Sequence, residues 1–220
     1  METNMHTVKL NGRDIPVGKI VCVGRNYSEH IKELGNKPPD KPVIFMKPAN
    51  AILASGGMVV IPAYSKDCHH EIELAVLIGK QAKAISAEQA FAHVAGYGVA
   101  LDLTLRDVQN AQKEKGLPWE IAKAFDTSCP LSAFVSKDQV TNPQNLQLKL
   151  TVNGNLRQDG NTCDMMLSIA ELIAAVSSYF TLEEGDILLT GTPAGVGRIA
   201  SGDRLEASIA QIGSLTVTVA

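Results

Sequence analysis

Apolar residues along the chain fall in short runs separated by polar and glycine-rich turns. Residues 19–23 (KIVCV) read as a short buried strand. Residues 42–47 (PVIFMK) read as another, with Val43, Phe45 and Lys47 on one face because side chains alternate along a strand. Residues 58–61 form a further short strand before Pro62. Two longer apolar runs follow, 70–79 (HEIELAVLIG) and 96–103 (GYGVALDL). Residues 146–152 and 156–158 flank Asn153-Gly154, a dipeptide that favours a tight hairpin turn. The tail holds three more strand candidates, around 187–190, 204–209 and 215–219. Helices are fewer. Asn26 with Glu29 predicts a capping box and a helix ending at Leu34, with Gly35 just past its end. Residues 36–41 (NKPPDK) then make a loop stiffened by two prolines. Ser86 with Gln89 predicts a second helix, and Thr104 with Asp107 a third that stops at Gly116. Ser168 with Glu171 opens an amphipathic helix running to Phe180. Strands outnumber helices, and the two do not alternate in the rhythm of a doubly wound sheet. The expected class is α+β: a mixed β-sandwich roll, strand-rich and barrel-like, with peripheral helices. Residues 1–18 form a short strand-and-turn segment, and 19–220 a single domain.

Composition narrows the setting. The chain has 220 residues, 45% hydrophobic and 20% charged, which suits one well-packed domain. A net charge of −3 gives no basic footprint for nucleic acid. No apolar run is long enough to span a bilayer, and the first residues lack the apolar core of a signal peptide. Cys22, Cys68, Cys129 and Cys163 are widely spaced and include no C-x-x-C pair, which argues against a zinc site. They are expected to be reduced thiols in an intracellular, cytoplasmic setting.

The chemistry begins with Glu71 and Glu73. At i and i+2 in an apolar run they point the same way, and Asp102 interrupts the second such run. Burying carboxylates is unfavourable unless a positive partner is present, and neither run contains a lysine or arginine. A hard divalent cation with oxygen ligands is one answer; a wet edge-strand face is the other. His30 and Glu33, at i and i+3, share a helix face, and a carboxylate beside an imidazole makes a general base. Arg106 and Gln109 are spaced the same way after Asp102, and Arg suits a bidentate grip on a substrate carboxylate. Lys123 lies among apolar neighbours, as a desolvated ammonium or as a surface lysine packing its stem. Residues 185–197 (GDILLTGTPAGVG) do not match a phosphate-binding loop, but their amides and the Thr190 and Thr192 hydroxyls can grip a carboxylate.

The blocks HHEIELAVLIG, GYGVALDLTLRD, KAFDTSCPL and LLTGTPAGVG, in that order, resemble the signature blocks of the fumarylacetoacetate hydrolase family. The likeness runs from about Lys19 to the C-terminus and points to the small single-domain branch. The resemblance implies a mixed β-roll, a homodimer, and a Mg2+ or Mn2+ ion on Glu71, Glu73 and Asp102. It places a catalytic dyad, on a segment that orders as a lid, at His30 and Glu33, and a catalytic lysine at Lys123. Substrate contacts fall on Arg106, Gln109 and Thr192. It implies an enzyme acting on a small 2-oxo (β-diketo) acid through a metal-stabilised enolate. Acylpyruvate hydrolase (acetylpyruvate or fumarylpyruvate) is the first expectation. Oxaloacetate keto–enol tautomerase or decarboxylase is the alternative. An isomerase or decarboxylase of aromatic-degradation intermediates and a non-catalytic 2-oxo-acid binding module come after.

Overall fold

The structure, a computed structural model, describes residues 6–35 and 41–220. The proline-containing loop anticipated at 36–41 therefore lies outside the described residues, apart from Lys41. The largest sheet is mixed. Its strands run in the order Val43–Pro48, Lys19–Gly24, Ile187–Leu189, Ile72–Ile78, Val94–Leu101, Cys129–Leu131 and Ile52–Ala54, with Val135–Ser136 also pairing against Val94–Leu101. A five-stranded sheet packs against it, in the order Asn155–Asn161, Gln147–Val152, Arg204–Ile209, Gly213–Val219 and Met58–Val59. A small three-stranded sheet joins Thr104–Leu105, Cys68–His70 and Gly197–Ile199. This is the expected α+β sandwich roll.

Ile72–Ile78 is buried at every position because both of its faces are covered. Leu74, Val76 and Ile78 join a core shared with Leu148, Leu150 and Leu205 of the five-stranded sheet. Ala75 and Leu77 face a second cluster with Cys22, Phe45 and Cys129. Glu73 has the parity of Ala75 and Leu77, so it points toward that second cluster.

Four α helices are described: α1 (Ser28–Glu33), α2 (Arg106–Glu114), α3 (Glu120–Lys123) and α4 (Ile169–Tyr179). Helix α4 carries the full capping box of Ser168 and Glu171. Asn153 (φ 52°) and Gly154 (φ 76°) make the left-handed hairpin turn between Gln147–Val152 and Asn155–Asn161. No described helix is long and apolar enough to cross a membrane.

Several local expectations are corrected. Asn26 does not cap α1, whose N-cap is Tyr27 with no side-chain hydrogen bond. Instead Asn26 is buried, donating to the Leu167 and Thr190 carbonyls and accepting from the Leu167 amide. Long-range main-chain partners won over the local cap. Thr104 lies in a strand, and the Asp107 carboxylate accepts from Ser65 Oγ and the Lys66 amide, so no capping box opens α2. The helix after Ser86 is a 3₁₀ helix, Ala87–His93, although its capping box forms. The N-terminal segment is a hairpin, Thr7–Leu10 with Arg13–Pro16, not a single strand. The strands Gly197–Ile199, Cys129–Leu131 and Ile52–Ala54 were not anticipated; each is too short to carry a pattern.

Candidate metal centre and active site

Pairing of Ile72 with Leu101 places the residues beyond each strand end side by side. Those residues are Glu71 and Asp102, and the Asp102 amide donates to the Glu71 carbonyl at 2.8 Å. Period-2 alternation brings Glu73 to the same side. Glu71, Glu73 and Asp102 are 4%, 2% and 1% exposed, and one carboxylate oxygen from each lies within 4.8 Å of the others. A wet edge strand is thereby excluded.

The positive partners absent from the two apolar runs arrive from elsewhere in the chain. Lys123, at the end of α3, donates from Nζ to Glu71 Oε2 at 2.8 Å and to Asp102 Oδ2 at 2.5 Å. Arg106, at the start of α2, donates from Nη2 to Glu71 Oε1 and from Nη1 to Gln109 Oε1 at 2.7 Å. Lys47 Nζ lies 2.9 Å from Asp102 Oδ1. Burial alone would push the Glu71 carboxyl up, but the Lys123 and Arg106 charges outweigh it and hold Glu71 well below the usual carboxylate range. Lys123 is likewise desolvated, yet Asp102 and Glu71 raise its ammonium to about 12. Glu73 goes the other way: burial, then the Asp102 and Glu71 charges, push it well up.

A divalent cation fits these residues. Asp102 Oδ1 is buried and has no hydrogen bond, despite its closeness to Lys47. Glu73 has a single backbone donor, the Gly191 amide at 2.7 Å, for its buried carboxylate. Three converging carboxylate oxygens make a hard donor set suited to Mg2+ or Mn2+.

Helix α1 supplies the dyad. His30 Nδ1 lies 3.2 Å from Glu33 Oε2, and Glu33 Oε1 accepts from the Gly195 amide at 3.0 Å. His30 is buried and lines one cleft with Glu71, Arg106, Gln109, Lys113, Trp119 and Lys123. The glycine-rich segment, read as a carboxylate grip, does grip carboxylates, but they are the chain's own Glu73 and Glu33. Only glycine suits these positions: at Gly191 (φ +95°) a Cβ would meet Asn26 Cβ at 2.8 Å, and at Gly195 (φ +98°) the Arg157 carbonyl at 2.1 Å. Thr190 is structural, its hydroxyl donating to the Leu74 carbonyl. Thr192 is buried and accepts from Gln158 Nε2 at 2.8 Å.

Two residues of this architecture escaped the sequence reading. Lys47 is fully buried and donates to the Lys123 and Leu103 carbonyls and Ser128 Oγ. Its placement with Phe45 on one strand face was the available signal. Gln158 is also fully buried; its Oε1 lies 3.0 Å from His70 Nδ1 and accepts from the Ile72 amide. Nothing in its polar strand, NLRQDGN, marks it out.

Residues 19–220 match the family described as fumarylacetoacetate hydrolase, C-terminal. The chain is 52% identical over 190 residues to the mitochondrial oxaloacetate tautomerase of Bos taurus, covering 86% of each chain. It is 53% identical over 193 residues to the oxaloacetate tautomerase YcgM of Escherichia coli, covering 87% of this chain and 88% of that one. Among solved structures, fumarylpyruvate hydrolase from Pseudomonas aeruginosa in complex with Mn2+ and pyruvate superposes with a TM-score of 0.94 at 38% identity, over 100% of this chain and 98% of that one. With matching fold, block order and carboxylate cluster, the chain belongs to the fumarylacetoacetate hydrolase family.

Proposed function

We propose that this protein is a divalent-metal-dependent oxaloacetate keto–enol tautomerase. The observation that carries this reading is the buried Glu71–Glu73–Asp102 cluster, whose Glu71 lines the same cleft as His30. The hydrolase reading placed first on sequence grounds gives way to the alternative, because relatives above 50% identity are oxaloacetate tautomerases.

When bound on Glu71, Glu73 and Asp102, the cation would supply Lewis-acid polarisation of the substrate's 2-oxo acid oxygens. His30, with Nδ1 held by Glu33, keeps Nε2 for proton transfer at the substrate's C3. Lys123 orients Glu71 and Asp102 and offers positive charge beside the substrate oxygen where negative charge develops. Arg106 fixes Glu71, and Gln109 fixes Arg106. Phe45 and Trp119, with ring centroids 6.0 Å apart, exclude water from one wall. Convergence of a base, a lysine and a cation site favours an enzyme over a binding module.

Acylpyruvate hydrolysis is the second reading, favoured by the likeness to fumarylpyruvate hydrolase; there His30 would deprotonate a water. An assay with Mg2+ on enol-oxaloacetate, fumarylpyruvate and acetylpyruvate, following enol absorbance and pyruvate separately with a chelator control, tests both. Loss of enol without pyruvate selects the tautomerase; pyruvate from the acylpyruvates selects the hydrolase, and pyruvate from oxaloacetate a decarboxylase. A homodimer is part of this proposal, supported by the apolar surface of Ile44, Met46, Tyr179 and Phe180, and light scattering checks it. A reducing compartment is supported by Cys22, Cys68, Cys129 and Cys163, all unpaired.

A further inference from the structure

Arg106, the side chain that sequence reasoning offers to the far carboxylate of a diacid, is already engaged by Glu71 and Gln109. Another cation stands on the same face of α2. Arg106, Gln109 and Lys113 are spaced i, i+3 and i+7, and all three line the cleft that holds Glu71 and Lys123. Lys113 is half-buried, and its Nζ sits 5.2 Å from the Trp119 ring centroid. Among the described residues no carboxylate forms an ion pair with it. Arg25 lines the same mouth from the turn before α1, with the left-handed backbone (φ 61°) uncommon for a non-glycine residue and frequent at functional sites. Burial, then the Arg106, Arg25 and Lys123 charges, push the Lys113 ammonium down to about 8. A partly desolvated cation among other cations is a site made for an anion, since an anion relieves both the burial and the repulsion. The Trp119 face holds the ammonium in place meanwhile.

We propose that Lys113, with Arg25 beside it, forms a second anion subsite that binds the far carboxylate of a dicarboxylic 2-oxo acid. This rests on the reading that the carboxylate cluster and its cation take the 2-oxo acid end. Lys113 is then the residue that separates diacids from monoacids, while Arg106 serves to hold Glu71.

The test is equilibrium titration of the Mn2+-loaded protein with oxaloacetate and with 2-oxobutyrate, whose far end is a methyl group. Lys113→Met keeps the stem on Trp119 and removes the charge. Its oxaloacetate affinity is expected to fall about tenfold or more, with 2-oxobutyrate affinity unchanged to within about twofold. Lys113→Arg is expected to restore most of the diacid preference. Equal losses for both ligands, or an unchanged preference in Lys113→Met, would overturn the subsite. Turnover of enol-oxaloacetate by the unsubstituted protein reports on the functional reading separately. If turnover is absent but diacid preference depends on Lys113, the tautomerase reading fails and the subsite stands. If turnover is present and the preference survives Lys113→Met, the reverse holds.

Discussion

Glu71, Glu73 and Asp102 sit at or beside the ends of two paired strands, each almost wholly buried and backed by Lys47, Arg106 and Lys123. His30 and Glu33 sit on the six-residue helix α1, which has no side-chain N-cap, and the Glu33 side chain is 31% exposed. A helix that short has little stability of its own. Its placement depends on tertiary anchors: Ile31 in the interior and the Gly195 amide on Glu33. The cation-binding floor thus takes its geometry from strand register, which changes only with the whole sheet. The dyad takes its geometry from a few contacts. In a family whose members differ in reaction, the part that is easy to re-aim is the part proposed to move protons.

The comparison can be broken at either end. Asp102→Ala removes a floor ligand, and loss of both Mn2+ binding by calorimetry and enol-oxaloacetate turnover is expected; a mutant that keeps both would refute the metal assignment. His30→Ala should leave Mn2+ affinity intact while lowering turnover by roughly 10²–10⁴-fold. Parent-like turnover in that mutant would remove His30 from the proton path. Lys47→Met removes one of the two lysines that face the buried Asp102. Metal affinity should fall roughly 10–100-fold, and unfolding free energy should drop by about 3–5 kcal/mol, read by denaturant titration. An unchanged midpoint would mean that Asp102 needs no support from below. Ser168→Ala, whose side chain bonds only within the α4 cap, removes that cap and should lower stability by about 1 kcal/mol without altering turnover.

Much of the floor was legible in the sequence. Period-2 spacing placed Glu71 and Glu73 on one side, and the i, i+3 spacings of His30 with Glu33 and Arg106 with Gln109 both became direct contacts. Turn and cap chemistry was equally plain at Asn153-Gly154 and Ser168. What stayed hidden depends on distant partners. Asn26 carries the same local signal whether it caps a helix or stitches three segments. Lys47 and Gln158 are polar residues whose side-chain partners lie 34 or more positions away in the chain, beyond the reach of any local pattern. Arg106 lies in the expected cleft, and its contact with Glu71 is one that spacing does not reveal, because spacing locates a side chain's face but not its distant partners.

The segment holding Gly191 and Gly195 ties the two regions together, one amide on Glu73 and the other on Glu33. Those links are made by main-chain N–H groups, so they survive side-chain substitution in the residues between them. They are vulnerable to a different class of change: an insertion or deletion within residues 191–195, which would slide His30 and Glu33 relative to the carboxylate cluster without touching either set. Loop length there acts as a ruler, and variation in that length among relatives would be a direct record of how the distance between base and cation has been reset.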